Sequence, residues 1–245
     1  MQVDALAIRL RQRSNGEAAD LGVRLCQHAA RSVFTCYLAV ALPIMLVCLA
    51  LIEVAAWLPT VAIWLAKPWL DRTILYVLSR AAFGQATTPR DVIRARREIW
   101  WSQLLRSWTQ RRLSPWRSLT GPVYQLEGLR GARQRKRVRQ IRAGKSGAGL
   151  MVTSAFGLAE LAITMSFVSL FVWFAPQGMA PELWELLLDS ENQTSIQFVF
   201  ALAYAITVAF VEPYYVAAGF GLYLNRRVEL EAWDIEQELK RARAR

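Results

Sequence analysis

The chain has 245 residues, 54% of them hydrophobic, and a mean hydropathy of +0.21. It also carries 30 Lys and Arg against 19 Asp and Glu, a formal net charge of +11. Apolar content this high excludes disordered and collagen-like classes, and three Cys exclude a disulfide scaffold. Ten Trp and seven Tyr suit membrane–water interfaces. An apolar excess and a basic excess in one short chain must be segregated along it, and they are. The expected class is an all-α polytopic membrane bundle of about four transmembrane helices, with amphipathic interfacial helices.

Residues 1–32 are polar and mildly basic, with Arg9, Arg11, Arg13, Arg24 and Arg31 against Asp4, Glu17 and Asp20. The first apolar run starts only at Val33, so no signal peptide is expected. Ala18, Leu21, Leu25 and Ala29 recur at helical spacing and predict a short amphipathic helix feeding the membrane. Residues 33–52 then contain no charge. At 1.5 Å rise per residue they reach about 30 Å, one hydrocarbon thickness.

A second apolar stretch, 54–66, is followed by Lys67, Pro68, Asp71 and Arg72. Residues 85–149 hold 16 Lys and Arg against Asp91, Glu98 and Glu127. Residues 150–175 are apolar except for Glu160, and 196–224 are apolar except for Glu212-Pro213. Between them, 176–194 holds acids and no Lys or Arg. The tail, 225–245, has six Lys and Arg and five acids.

Lys and Arg in short flanking loops set orientation. The 176–194 loop is therefore expected outside. The 85–149 segment, the tail and the N-terminal segment are expected in the cytosol. That demands an even number of crossings before residue 85, so 33–84 reads as a transmembrane hairpin, its helices near 33–52 and 56–76 and its turn near 53–59. The second helix carries Lys67, Asp71 and Arg72, each costing about 2.5–3.5 kcal/mol at a bilayer centre. Snorkelling toward the cytosolic face and an i,i+4 pair of Lys67 with Asp71 lower that cost. The rival is a three-span chain with an outside N-terminus and an interfacial helix at 69–84. The remaining hairpin is 150–224, with its acidic external loop.

Thr88-Pro89-Arg90-Asp91 is a helix start, with Thr at the cap and Pro at the first turn. The helix is expected to reach about Arg112, with Ile93, Trp100, Leu104 and Trp108 on one stripe, widened by Trp101 and Leu105. Such a face suits either the headgroup layer or the protein's own bundle. Ser114-Pro115 and Gly121-Pro122 are expected breaks. A second helix is expected from Val123 to Arg142. It carries Arg130, Arg133, Arg135, Lys136, Arg137, Arg139 and Arg142, distributed all round. These are the candidate contacts to anionic headgroups or an acidic partner, at about 1 kcal/mol per basic residue near such a surface. Nearby spans argue against nucleic acid. In the outer loop, Pro181 precedes the apolar run Leu183, Trp184, Leu186, Leu187 and Leu188, an expected surface helix, and Asn192-Gln193-Thr194 matches a glycosylation sequon by pattern alone. In the tail, Val228, Ala232, Ile235 and Leu239 form a stripe expected to pack on the basic loop. Arg227–Glu231 and Glu236–Lys240 are spaced for ion pairs.

Catalytic signals are absent. One histidine, His28, cannot build a His-rich metal site, and Cys26, His28 and Cys36 lack paired-thiol spacing. Gly144-Lys145-Ser146 fails as a phosphate loop because Arg139 occupies the position that needs Gly. No catalytic, cofactor or metal residue is assigned, and no enzyme is expected. Glu127 beside Arg130 is the only local hint of one. The remaining candidates are intramembrane charges: Lys67, Asp71, Arg72, Glu160 and Glu212. They read either as a structural network or as a transport site, where Glu212-Pro213 would break the last helix.

Residues Tyr223-Leu224-Asn225-Arg226-Arg227-Val228-Glu229-Leu230-Glu231-Ala232-Trp233-Asp234-Ile235-Glu236 carry a resemblance. So do Lys67-Pro68-Trp69-Leu70-Asp71-Arg72, Leu78-Ser79-Arg80 and Gln125-Leu126-Glu127-Gly128-Leu129-Arg130-Gly131. From about residue 17 the chain resembles a family of uncharacterised proteobacterial multi-pass inner-membrane proteins. The tail is distantly similar to the membrane domain attached to some glycerophosphodiester phosphodiesterases, whose catalytic domain is missing here. Similar genes often lie near those for MoxR-type ATPases and transglutaminase-like membrane proteins. The resemblance implies a bacterial inner-membrane location and carries over no catalytic residue. The expected role is a non-catalytic scaffold or assembly partner of envelope machinery, touching lipid and other envelope membrane proteins. The alternative is a small transporter.

Overall fold

The computed structural model describes residues 11–101, 114–174 and 193–231. Among these, every regular element is helical. In order they are α1 (Asn15–His28), α2 (Ala30–Ala50), a 3-10 turn (Leu51–Glu53), α3 (Leu58–Ala81), α4 (Pro89–Arg94), a π-helical turn (Arg97–Trp101), α5 (Arg117–Leu126), α6 (Gly131–Arg142), α7 (Ser146–Trp173) and α8 (Gln193–Glu231). Among the described residues, three stretches are long and apolar enough to cross a membrane: Ala30–Glu53, Ser146–Leu170 and Thr194–Glu231. The outer-loop surface helix, the sequon's Asn192, the Leu104 and Trp108 part of the stripe and the Glu236–Lys240 pair lie outside the described residues.

The chain divides into two compact units. The first comprises Met1–Tyr37, Pro68–Ser154 and Pro213–Arg245. Here α1 begins with a capping box: Glu17 N–H donates to Ser14 Oγ, and Ser14 N–H donates to Glu17 Oε2, each at 3.3 Å. Its buried face is Ala18, Gly22, Leu25 and Cys26. Small residues let its backbone touch that of α8. A Cβ on Gly22 would meet Ala217 O at 1.9 Å, and one on Gly221 would meet Ala18 O at 2.1 Å. α5 makes a similar approach, since a Cβ on Gly219 would strike Ser118 Cβ at 2.2 Å. The loop before α4 is tied to α2, with Ser32 Oγ donating to Thr87 O at 2.6 Å and accepting from Thr87 N–H at 3.0 Å.

The helix expected from Thr88 to Arg112 departs from its pattern. It starts as anticipated at Thr88-Pro89, but α4 ends at Arg94 and a π turn follows. Arg72 meets that turn, its Nη1 donating to Ile99 O and Trp100 O at 3.2 Å each. A guanidinium set against successive carbonyls suits a widened turn. The buried face also differs: Val92 and Ile99 are inside, whereas Ile93, expected on the apolar stripe, is 57% exposed.

Two further boundaries differ. Gly121-Pro122 lies inside α5 rather than breaking it. Proline removes one backbone donor, and packing of Leu119 and Val123 in the core holds the short helix regardless. The helix expected from Val123 to Arg142 is split, because Gly128 and Gly131 adopt positive φ of 63° and 62°. The stretch ends, as expected, at Gly144, with φ 78°.

The second unit comprises Leu38–Lys67 and Ala155–Glu212. Its apolar side chains do not all point inward: Leu46, Val47, Leu158, Leu161 and Phe210 are more than half exposed. Water would penalise a surface so rich in large apolar groups, while lipid tails would not. Pro213, expected to break the last helix, lies within an unbroken α8. A long apolar helix tolerates one missing backbone bond when its neighbours are intact.

Candidate functional site

The second unit gathers three of the five intramembrane charges. Lys67 Nζ lies 2.5 Å from Glu160 Oε2 and 2.7 Å from Glu212 Oε2. The side chains are 6%, 17% and 1% exposed. Each sits on a different helix: α3, α7 and α8. Tyr204 stacks its ring 6.0 Å from the ammonium. Thr164, one turn beyond Glu160, is buried, and its Oγ1 has no hydrogen-bond partner among the described residues. The cluster holds two carboxylates and one ammonium.

The expected Lys67–Asp71 pair gives way to longer-range partners. Asp71 Oδ2 instead lies 3.2 Å from Arg117 Nε, in the first unit. The reason is geometric: an i,i+4 pair on a helix is weak, whereas partners presented by other helices meet these side chains head on. Arg72, the fifth candidate, is buried and holds the π turn.

In the first unit the basic segment and the tail interlock. Arg137 bonds Glu127, with Nε 2.8 Å from Oε2, and also bonds Glu231. Burial works against the Arg137 guanidinium, and these two carboxylates more than offset it, so its pKa lies above the ordinary value. Glu231 also takes Arg227 at 2.6 Å, the i,i+4 pair the tail spacing predicted. Tyr223 donates to Glu127 Oε1 at 2.9 Å. The Glu127–Arg130 hint is thus replaced, since Glu127 turns to Arg137 and Tyr223 while Arg130 is exposed. Glu229 takes Lys145 at 2.6 Å and Arg226 at 2.9 Å. Lys145 of the rejected phosphate-loop sequence is therefore half of an ion pair.

The arginines expected all round α6 are sorted by this packing. Arg133, Arg135, Lys136 and Arg139 are exposed, Arg137 is tied down, and Arg142 stacks 3.7 Å above the Trp116 ring. Sequence reasoning missed a cavity of about 520 Å³ in this unit, lined by Arg72, Arg117, Arg135, Arg142 and Asp71 among others. Its residues come from α3, α5, α6 and the last helix, so no local spacing could have revealed it.

These features define a class: a helical protein that has, among its described residues, three helices suited to crossing a bilayer, together with shorter basic helices tied by ion pairs. No family model matches the chain, and no curated protein or solved structure is detectably similar to it.

Proposed function

We propose that this is a four-span bacterial inner-membrane protein, its N- and C-termini and its basic helices cytosolic, acting as a non-catalytic scaffold or assembly partner of envelope machinery. The resemblance noted above is the ground for the bacterial inner membrane, and arginine placement is the ground for orientation. One observation carries the reading: Lys67 is buried and shared between Glu160 and Glu212. A paired charge removes most of the objection to α3 as a fourth span beside the three apolar helices. Ions locked to one another on three helices hold a bundle together. The exposed Arg133, Arg135, Lys136 and Arg139 then form a platform for anionic headgroups or an acidic partner.

Photocrosslinking from position 133 or 139 in native membranes tests the role. A scaffold yields the same envelope membrane protein repeatedly, and charge reversal at Arg133 and Arg139 abolishes that product. Capture of lipid alone contradicts a protein scaffold.

A transporter is the second reading, favoured by the two-to-one ratio of carboxylates to ammonium and by the Thr164 hydroxyl, without a hydrogen-bond partner among the described residues. Glu160→Gln and Glu212→Gln separate the two. Intact folding with lost ion or proton flux in proteoliposomes supports transport, and lost folding supports a structural network.

A further inference from the structure

The cavity of the first unit is concave, basic and partly apolar, a combination that a structural ion-pair layer does not require. Four guanidinium side chains (Arg72, Arg117, Arg135 and Arg142) and one carboxylate, Asp71, contribute to its wall. Among the described residues, counting charges leaves an excess of three positives around about 520 Å³. Asp71 is engaged with Arg117, and Arg72 with two backbone carbonyls, so those two arginines are fixed in place. Arg142 is oriented by its stack on Trp116. Fixed guanidinium groups lose little freedom on binding, and their planar forks match the oxygens of a phosphate.

Three neutral side chains in the same wall, Gln134, Ser118 and Gln125, hold polar atoms with no hydrogen-bond partner among the described residues. Gln134 and Ser118 are 4% and 5% exposed, and the atoms concerned are Gln134 Nε2, Ser118 Oγ and Gln125 Oε1. A buried polar group left unpaired costs about 1–3 kcal/mol; an anion's oxygens would accept from Gln134 and Ser118, and Gln125 Oε1 would accept from a protonated oxygen of the same group. Leu75, Val138 and Val216 supply an apolar side to the same space. A bare anion would leave that side in contact with water, whereas a phosphoester would cover it with its carbon body.

We infer that this cavity binds a phosphoester through Arg72, Arg117, Arg135 and Arg142, the phosphate taking the arginines and the ester's carbon skeleton the apolar wall. Phospholipid headgroups and soluble phosphate esters share this chemistry. The site does not depend on the scaffold reading: a chain without protein partners would still bind phosphate here.

The test uses the full chain purified in neutral detergent at fixed ionic strength. Equilibrium dialysis measures radiolabelled inorganic phosphate, and short-chain phosphatidic acid and glycerol phosphate are the competitors. Saturable binding with one phosphate per chain is expected. Arg135→Gln and Arg142→Gln should each weaken it about tenfold or more, the loss of one charge-assisted hydrogen bond. Arg31→Gln, an equal charge change on an exposed residue remote in sequence, should leave it unchanged. Displacement by phosphatidic acid well below the glycerol phosphate concentration assigns a lipid headgroup, and equal displacement assigns a soluble ester. Arg135 is exposed, so its variant remains informative if loss of the Trp116 stack unfolds the other. Absence of saturable binding by all three probes, or equal weakening by Arg31→Gln, overturns the inference.

Discussion

The Lys67 ammonium lies 2.5 Å from Glu160 Oε2, joining side chains 93 positions apart, and the same ammonium serves Glu212. A buried charge held this way stabilises little over an apolar replacement, but it cannot be removed singly. Lys67→Met leaves the buried Glu212 carboxylate and the part-buried Glu160 carboxylate without their shared cation. It should destabilise the folded chain by about 3–5 kcal/mol. The triple variant Lys67→Met, Glu160→Gln, Glu212→Gln should recover most of that loss. Denaturant unfolding in detergent measures both, and an unchanged midpoint for Lys67→Met would remove the cluster from the bundle's stability.

The contact between α1 and α8 depends on missing side chains. Gly22→Ala or Gly221→Ala drives a methyl into a backbone carbonyl, which cannot swing aside. Each should lower stability by about 1–3 kcal/mol or more. Gly157→Ala, in the interior of α7 with nothing within 4 Å, should instead raise it by about 0.5–1 kcal/mol. Thermal melts of the three variants should therefore move in opposite directions.

Cys26 is fully buried on α1, and desolvation pushes its thiol up to about 12. The thiolate is the reactive form. Maleimide at mildly alkaline pH should leave Cys26 unmodified in the native chain and modify it on unfolding. Rapid native labelling, read by peptide mass, would contradict the packing of α1.

The α4 start is pH-sensitive in one direction. The Thr88 N–H donates to Asp91 Oδ2 at 3.0 Å and the Thr88 hydroxyl at 2.8 Å, and these bonds hold the carboxyl below its ordinary value. A depressed carboxyl contributes stability that is present above the unfolded-state pKa and is lost as pH falls through the folded value. The loss therefore begins near the ordinary aspartate range, about pH 4, and deepens below it. Hydrogen exchange at α4 should accelerate over that window in the native chain, and Asp91→Asn should flatten the dependence.

Much of the architecture is legible in the residues themselves. Twenty uncharged positions from 33 to 52 fall within one apolar stretch, and Thr88-Pro89 starts a helix where the cap chemistry demands. Ser14-x-x-Glu17 is a capping box plainly written in the chain, a start signal that the apolar spacing of α1 does not itself carry. What was not legible depends on distant partners. Arg72 bonds the Ile99 carbonyl of the π turn from 27 positions away, and no periodicity within 88–112 encodes that. Gly128 and Gly131 split a basic helix that Arg spacing made look continuous. The charge cluster was nameable as a set, but its pairing was not: Lys67 turns to α7 and α8, and Asp71 to Arg117. The cavity was invisible because its four arginines come from three separate helices.

The central claim is that lipid solvates the apolar helices and that arginine placement keeps the basic helices cytosolic. Arg139→Cys, on an exposed position of α6, reports this directly, because all three native cysteines are buried and should stay silent. A membrane-impermeant maleimide is applied to spheroplasts and to inverted inner-membrane vesicles. Labelling is expected in the inverted vesicles and not in intact spheroplasts. Labelling of intact spheroplasts, or recovery of the protein in the soluble fraction without detergent, would contradict the claim.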